Sequence, residues 1–194
     1  MGWAGKFTAA TTALFIVLSF SPHVFGQQES LNSLLEKAKR GDPEVQFNLG
    51  HMYNTGRGVA QDYAEAVRWF RKAADQGHTD AQVNLGHMYY TGQGVTGNHD
   101  EAARWSRKAA DQGNADAQVL LGAMYYTGEG VAQDYTEAYM WLNFAASRAG
   151  GSQQSRYADE RDRLAKLMIA EQIAEAQRRA RVWKPKSSEN KVGK

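Results

Sequence analysis

Several sets of residues in this chain have types and spacings that suggest chemistry. Gly92-Gln93-Gly94-Val95-Thr96-Gly97 spells G-x-G-x-x-G, the run in which bare backbone amides close on a pyrophosphate. His51 and His87 stand in matching surroundings, as would a pair of imidazoles sharing a zinc ion. Asp62 and Asp134 are candidate acids or bases, with Asn98 at the equivalent place between them. Trp69, Trp105 and Trp141 form a column of rings able to stack a sugar or a peptide.

The spacing of these residues argues against all four readings, because every set recurs with the same period of thirty-six. Gln46-Phe47-Asn48-Leu49-Gly50-His51-Met52-Tyr53 returns as Gln82-Val83-Asn84-Leu85-Gly86-His87-Met88-Tyr89. It returns again as Gln118-Val119-Leu120-Leu121-Gly122-Ala123-Met124-Tyr125. Each copy continues through Gly-x-Gly-Val to a tryptophan. A fixed period of this length marks a solenoid, whose units cannot bury an apolar face alone and must stack. The period then acts as an internal alignment. Gly92 and Gly94 match Gly56/Gly58 and Gly128/Gly130, whereas Gly97 falls where Gln61 and Gln133 stand, and the run follows a helix pattern and no strand. His51 and His87 would lie a helix spacing of about 8–10 Å apart or more, too far for one zinc with bonds of about 2 Å, and Ala123 takes the third place. The tryptophans are flanked by alanines at helical spacing and read as core. The Asp/Asn column reads as helix caps. No serine or other nucleophile has a histidine and a carboxylate recognisably placed around it.

The elements behind the period are two helices per unit. Ala81, Leu85, Met88 and Tyr89 fall on one stripe, with Gly86 inside it where a neighbouring helix must come close. Thr91-Gly92-Gln93-Gly94-Val95 ends that helix, with glycine free to take positive φ. The second helix opens on a capping box, Asn98-x-x-Glu101, matched by Asp62-x-x-Glu65 and Asp134-x-x-Glu137. It carries Ala102, Trp105 and Ala109 on its apolar face and stops at Gly113. Before the first unit, Leu31 to Ala38 is an amphipathic helix ending at Gly41, and Asp42-Pro43 is an N-cap followed by proline at the first helical position. After the third unit the motif stops. Charged helices follow, with Tyr157, Leu164, Leu167 and Met168 on one and Ile169, Ile173, Ala176, Ala180 and Trp183 on the other. They form the end-cap that a solenoid needs.

Residues 1–26 read as a secretory signal: Lys6 is the positive region, Thr11 to Phe20 the apolar stretch, and cleavage is expected between Gly26 and Gln27. An uncleaved anchor, making the chain a membrane-tethered scaffold, is the alternative. The 42% hydrophobic content suits a packed protein and excludes a disordered one. No cysteine is present, which excludes disulfides, a lipoprotein attachment site and thiolate metal sites, and leaves repeat stacking to hold the fold. Residues 27–147 hold 10 Lys/Arg against 15 Asp/Glu, and residues 148–194 hold 12 against 6, so an acidic array precedes a basic end. The basic end reads as a solvated helix, with contact to a polyelectrolyte as the alternative.

The recurring Ala-x-Gln-x-x-Leu-Gly-x-Met-Tyr, Gly-x-Gly-Val, Asp-Tyr-x-x-Ala, Trp and Lys-Ala-Ala-x-x-Gly resemble the Sel-like (Sel1) repeat, a relative of the tetratricopeptide repeat. Arg161 to Ala165 and Glu171 to Gln177 resemble the end-cap of exported bacterial members, with Ile169-Ala170 where those carry Thr-Pro or Ser-Pro. The substitution predicts cap helices that run together or kink less sharply. The resemblance implies an all-α right-handed α/α superhelix. The expected organisation is a signal at 1–26, a capping helix at 27–40, and repeats at 41–76, 77–112 and 113–149. Capping helices at 150–184 and a disordered basic tail at 185–194 complete it. The resemblance also implies a concave groove lined by Glu44, Phe47, His51 and Asn54, then Asp80, Val83, His87 and Tyr90, then Asp116, Val119, Ala123 and Tyr126. Tyrosines beside carboxylates suit an extended, somewhat basic peptide or protein segment.

The function expected is therefore a non-enzymatic adaptor, periplasmic or secreted, acting as a monomer on a protein or peptide partner. No catalytic residue, cofactor, metal or nucleic acid is expected, and no stable membrane insertion once the signal is removed. A cysteine-rich bacterial branch of the same family is credited with penicillin binding and β-lactam hydrolysis. That is the alternative reading, and this chain carries none of that branch's cysteines.

Overall fold

The computed structural model describes residues 22–186; residues 1–21, with most of the expected signal, and residues 187–194, with most of the expected tail, lie outside them. The described residues form nine helices and no strand: α1 (Pro22–Lys39), α2 (Pro43–Thr55), α3 (Tyr63–Asp75), α4 (Thr79–Thr91), α5 (His99–Asp111), α6 (Ala115–Thr127), α7 (Tyr135–Arg148), α8 (Gly151–Ala165) and α9 (Ala170–Val182). α1 starts earlier than the expected capping helix and runs through the Gly26–Gln27 position. The inner helices α2, α4 and α6 each pack on the outer helix that follows (α3, α5, α7) and on the outer helix before. This two-layer stack is an α-solenoid.

Local chemistry explains the boundaries. Asp42 Oδ1 accepts from the amides of Glu44 (3.0 Å) and Val45 (3.2 Å), and Asp62 and Asp134 cap α3 and α7 in the same way. The boxes are only half made. Glu65 and Glu101 turn away from the cap and pair with Arg68 and Arg104 one turn on, at 2.7 and 2.6 Å. The glycine inside each inner helix is a contact point: a methyl at Gly86 would sit 2.6 Å from Ser106 Oγ on α5, and one at Gly50 would sit 2.6 Å from the Phe70 ring on α3. The tryptophans are core, with Trp141 fully buried and Trp69 and Trp105 nearly so. Lys72 and Lys108 lie over Trp69 and Trp105 at 4.0 and 3.8 Å.

A buried glutamine ladder joins the units. Gln46, Gln82 and Gln118 donate from Nε2 to the carbonyls of Ala38, Ala74 and Ala110 at the end of the preceding outer helix, at 2.8, 3.1 and 3.2 Å. Gln76 and Gln112 in turn donate to the Oε1 of Gln46 and Gln82, both at 2.7 Å. Arg148 occupies the third equivalent place, and Gln118 Oε1 is buried without a donor. Gln82→Leu orphans both a carbonyl and an amide, whereas Gln118→Leu orphans the carbonyl alone. Gln82→Leu is therefore expected to cost about 1 kcal/mol more than Gln118→Leu in urea denaturation. Equal costs would remove the ladder as a cause of stacking.

The end-cap differs from expectation. The motif stops after the third unit but the helix period persists, since α8 begins thirty-six residues after α6 and Tyr157, at Leu121's equivalent place, is buried. α8 and α9 do not run together. They break at residues 166–169, where the side chain of Gln172 accepts from the amide of Ile169 at 3.1 Å. α9 then packs on α7 and leaves α8 without the outer helix that every earlier inner helix has. Ala176 and Leu164 close the core there, and Trp183 lies 4.3 Å from Phe144 and edge-on to Trp141. The expected tail begins docked, with the Lys186 amide donating to Asp111 O at 2.7 Å and its ammonium pairing with the Asp111 carboxylate at 2.6 Å.

Candidate functional site

The inner helices carry all twelve expected groove residues, but the fold uses them unequally. Glu44, Asp80 and Asp116 sit in the first turns of α2, α4 and α6, exposed, and each is engaged by the next unit. His78 accepts the Ala81 amide at Nδ1 (3.3 Å), which leaves Nε2 to donate to Glu44 at 3.1 Å. Asn114 Nδ2 donates to Asp80 at 3.5 Å, and the Tyr157 hydroxyl donates to Asp116 at 2.7 Å. The acidic column is a set of unit-to-unit clips as well as a charged edge.

Phe47 is half-buried, stacked on His78 at 4.6 Å and packed on Phe70 at 5.7 Å. Val83 and Val119 are half-buried and pack against the apolar cluster that holds Leu121, Trp141 and Phe144. Asn54 is half-buried, and its carbonyl accepts from Gln61 Nε2 at 2.8 Å. His51 and His87 are exposed on separate helices, and among the described residues no three His, Cys, Asp or Glu gather to hold a metal ion. The G-x-G-x-x-G run is the loop between α4 and α5.

The tyrosines separate most clearly. Tyr90 is half-buried: its ring stacks on His99 at 5.0 Å and its hydroxyl donates to Glu129 Oε2 at 2.8 Å. Tyr126 stacks likewise on Tyr135 at 5.7 Å, but is 42% exposed. Beside it opens a cleft of about 290 Å³ between α6, α7 and α8. Ala123, Tyr126, Leu142, Leu164 and Leu167 line it, with Glu160 and Arg163 also on the α8 side. Of the twelve expected residues, the cleft brings together Ala123 and Tyr126. Leu142, Glu160, Arg163, Leu164 and Leu167 are not among the expected groove residues: Leu142 stands on the outer helix α7, and residues 160–167 read from the sequence only as an end-cap. Carrying the thirty-six-residue register past the last motif would have shown Ala165 where Glu129 stands and Leu167 where Val131 stands.

Two phenols are held above their usual range. Burial, then the hydrogen bond to Asp116, raises Tyr157; the hydrogen bond to Glu129, then burial, raises Tyr90. A phenol raised in the folded state contributes its full stability below the unfolded value of about 10, and loses it as pH climbs through the folded value. Urea midpoints should therefore fall as the pH rises above about 10, with a shallower fall in Tyr157→Phe. An identical slope in that variant would assign the alkaline loss to other groups.

The comparisons with known proteins agree with this architecture. The family model described as Sel1 repeat matches residues 43–78, 79–114 and 115–149. The chain is similar to a crystal structure of a Sel1 repeat protein from Oxalobacter formigenes, 38% identical with a TM-score of 0.59, over 67% of this chain and 98% of that one. It is also similar to a protective antigen present in uropathogenic Escherichia coli strains that displays an SLR fold. That likeness is 30% identical with a TM-score of 0.60, over 80% of this chain and 40% of the antigen, so the chain spans well under half of the antigen's length. No curated protein matches the chain.

Proposed function

Because the chain belongs to the Sel1-repeat family, whose repeats generally mediate protein–protein interactions, we propose that it is a non-enzymatic binding module. It acts as a monomer and holds a protein or peptide segment against its inner helices. The observation that carries this reading is the exposed apolar cleft beside Tyr126, since 57% of Leu167 and 42% of Tyr126 face solvent in one concavity. Small convergent patches of apolar and aromatic side chains are where binding energy concentrates. The stacked helices hold these side chains in place beforehand, so the partner bears most of the ordering entropy.

We also propose that the module is exported to the periplasm or beyond. Lys6, the apolar run from Thr11 to Phe20 and Val24-Phe25-Gly26 support this. An N-terminus at Gln27 in protein recovered from the cell envelope or medium is the expected result, and an intact Met1 there would point to a tether.

The binding role is tested by placing a photo-cross-linking phenylalanine analogue at Ala123, in the cleft, and separately at Arg68, on outer helix α3. Irradiation of cells is expected to give discrete protein adducts at Ala123 and none at Arg68. Adducts at Arg68 alone, or equal patterns at both, would overturn the inner-face assignment.

A further inference from the structure

The chain itself contains a template for what fills such a cleft. At the junction between the second and third units, the turn Gly128-Glu129-Gly130-Val131 closes the space beside Tyr90. Glu129 accepts the Tyr90 hydroxyl at 2.8 Å, and Val131 packs against the core two residues on. Val95 packs in the same way one unit earlier. The next junction has the same tyrosine, stacked in the same way on the first residue of the outer helix of its own unit, since Tyr126 meets Tyr135 as Tyr90 meets His99. It lacks the filling. Ala165 replaces the glutamate, and Leu167, in place of the valine, is turned out to solvent. The cleft is thus a unit junction with its acidic-x-apolar turn missing. Arg163 adds a guanidinium to its lining; its Nε donates to the Asp159 carbonyl at 3.3 Å on its own helix.

We propose that the cleft takes an extended segment of a partner protein carrying an acidic residue two positions before an aliphatic one. The carboxylate accepts the Tyr126 hydroxyl and pairs with Arg163. The aliphatic side chain enters between Ala123, Leu142 and Leu167. This rests on the binding-module reading and specifies its ligand: the Tyr90–Glu129 pair of the preceding junction selects the acid, Arg163 offers it a cation on a lining that also carries Glu160, and the volume admits a side chain or two and no large cofactor. It also reverses the expectation of a basic ligand at this end of the groove, where Asp116 is already satisfied by Tyr157.

The probe is a fluorescein-labelled peptide with the sequence of residues 127–134 of this chain, titrated into the full-length exported protein by fluorescence anisotropy and by amide chemical-shift mapping. Binding is expected to shift Ala123, Tyr126 and Leu167. It is expected to weaken about tenfold or more when the peptide's glutamate is replaced by glutamine, or when the protein carries Arg163→Gln, as loss of one charge-assisted contact implies. Tyr126→Phe, which keeps the stacked ring, should weaken it severalfold. Shifts confined to α2 and α4, equal affinity for the glutamine peptide, or no binding at all would each sink the acidic-x-aliphatic assignment. The cross-linking experiment keeps the two readings apart. Adducts at Ala123 with no peptide binding leave the binding module standing without this ligand, and loss of both removes both.

Discussion

Gly130→Ala is expected to destabilise the array by roughly 3–5 kcal/mol, and Gly94→Ala by a similar amount. Gly58→Ala, at the equivalent place in the first unit, should cost only about 1–2 kcal/mol. All three glycines have positive φ, between 70° and 79°, so an alanine pays the left-handed penalty at each. The junctions make the difference. A methyl at Gly130 would overlap the His99 carbonyl at the start of α5, and one at Gly94 would overlap the Tyr63 carbonyl at the start of α3. A methyl at Gly58 would meet only the terminal carbon of Met52 at 3.2 Å, which can swing aside. The second glycine of Gly-x-Gly-Val is thus where each later turn rests on the unit before it. Urea denaturation followed by circular dichroism measures the three costs. If Gly58→Ala proves as damaging as Gly130→Ala, the loss is purely conformational and the turn-to-unit contact is unimportant.

Trp141→Ala should cost about 4–5 kcal/mol, at the top of the range for a buried ring and a large part of the 5–15 kcal/mol that is typical of a folded domain. Trp141 is fully buried, edge-on to Phe144 at 5.6 Å and to Trp183 at 5.8 Å, and its Nε1 donates to Glu137 at 3.1 Å. Arg107 covers the other side at 4.9 Å from the ring centre. Since Trp183 at the end of α9 packs edge-on to Trp141, and Arg179 pairs with the same Glu137 that Trp141 engages, the cavity should loosen α9 as well. Hydrogen exchange is expected to speed up along Ala170–Val182 together with α7. Trp105→Ala should cost less, about 3 kcal/mol, because its Nε1 is already buried without a partner and is lost without penalty. Unchanged protection of α9 in Trp141→Ala would falsify the idea that the end-cap leans on this ring.

Much of this fold was legible in the residues because helices are encoded locally. Apolar residues three and four apart, Asp or Asn at the first turn and glycine after the last one fix where each helix starts and stops. The thirty-six-residue repeat multiplies that signal threefold. The same logic reads Gly92 to Gly97 as a turn and the tryptophan column as core, and the structure has a loop between α4 and α5 and buried rings there. The groove was legible only as a set of positions. Whether a position is open depends on what the next unit supplies. Asp80 meets Asn114 and Tyr90 meets Glu129, partners that lie thirty-four and thirty-nine residues along the chain. The capping boxes show the same limit on a smaller scale, since Glu65 and Glu101 had two partners within reach and took the arginine.

The stacked two-helix unit, its caps and its period follow from sequence alone, because each rests on contacts within a few residues or on exact recurrence. The place where the stack is left unfinished does not. Glu129 and Ala165 occupy equivalent positions, and only the three-dimensional packing shows that one closes a junction while the other leaves Tyr126 beside an open cleft. That outcome depends on α9 packing on α7 instead of α8, a choice between two non-local apolar surfaces that no local pattern records.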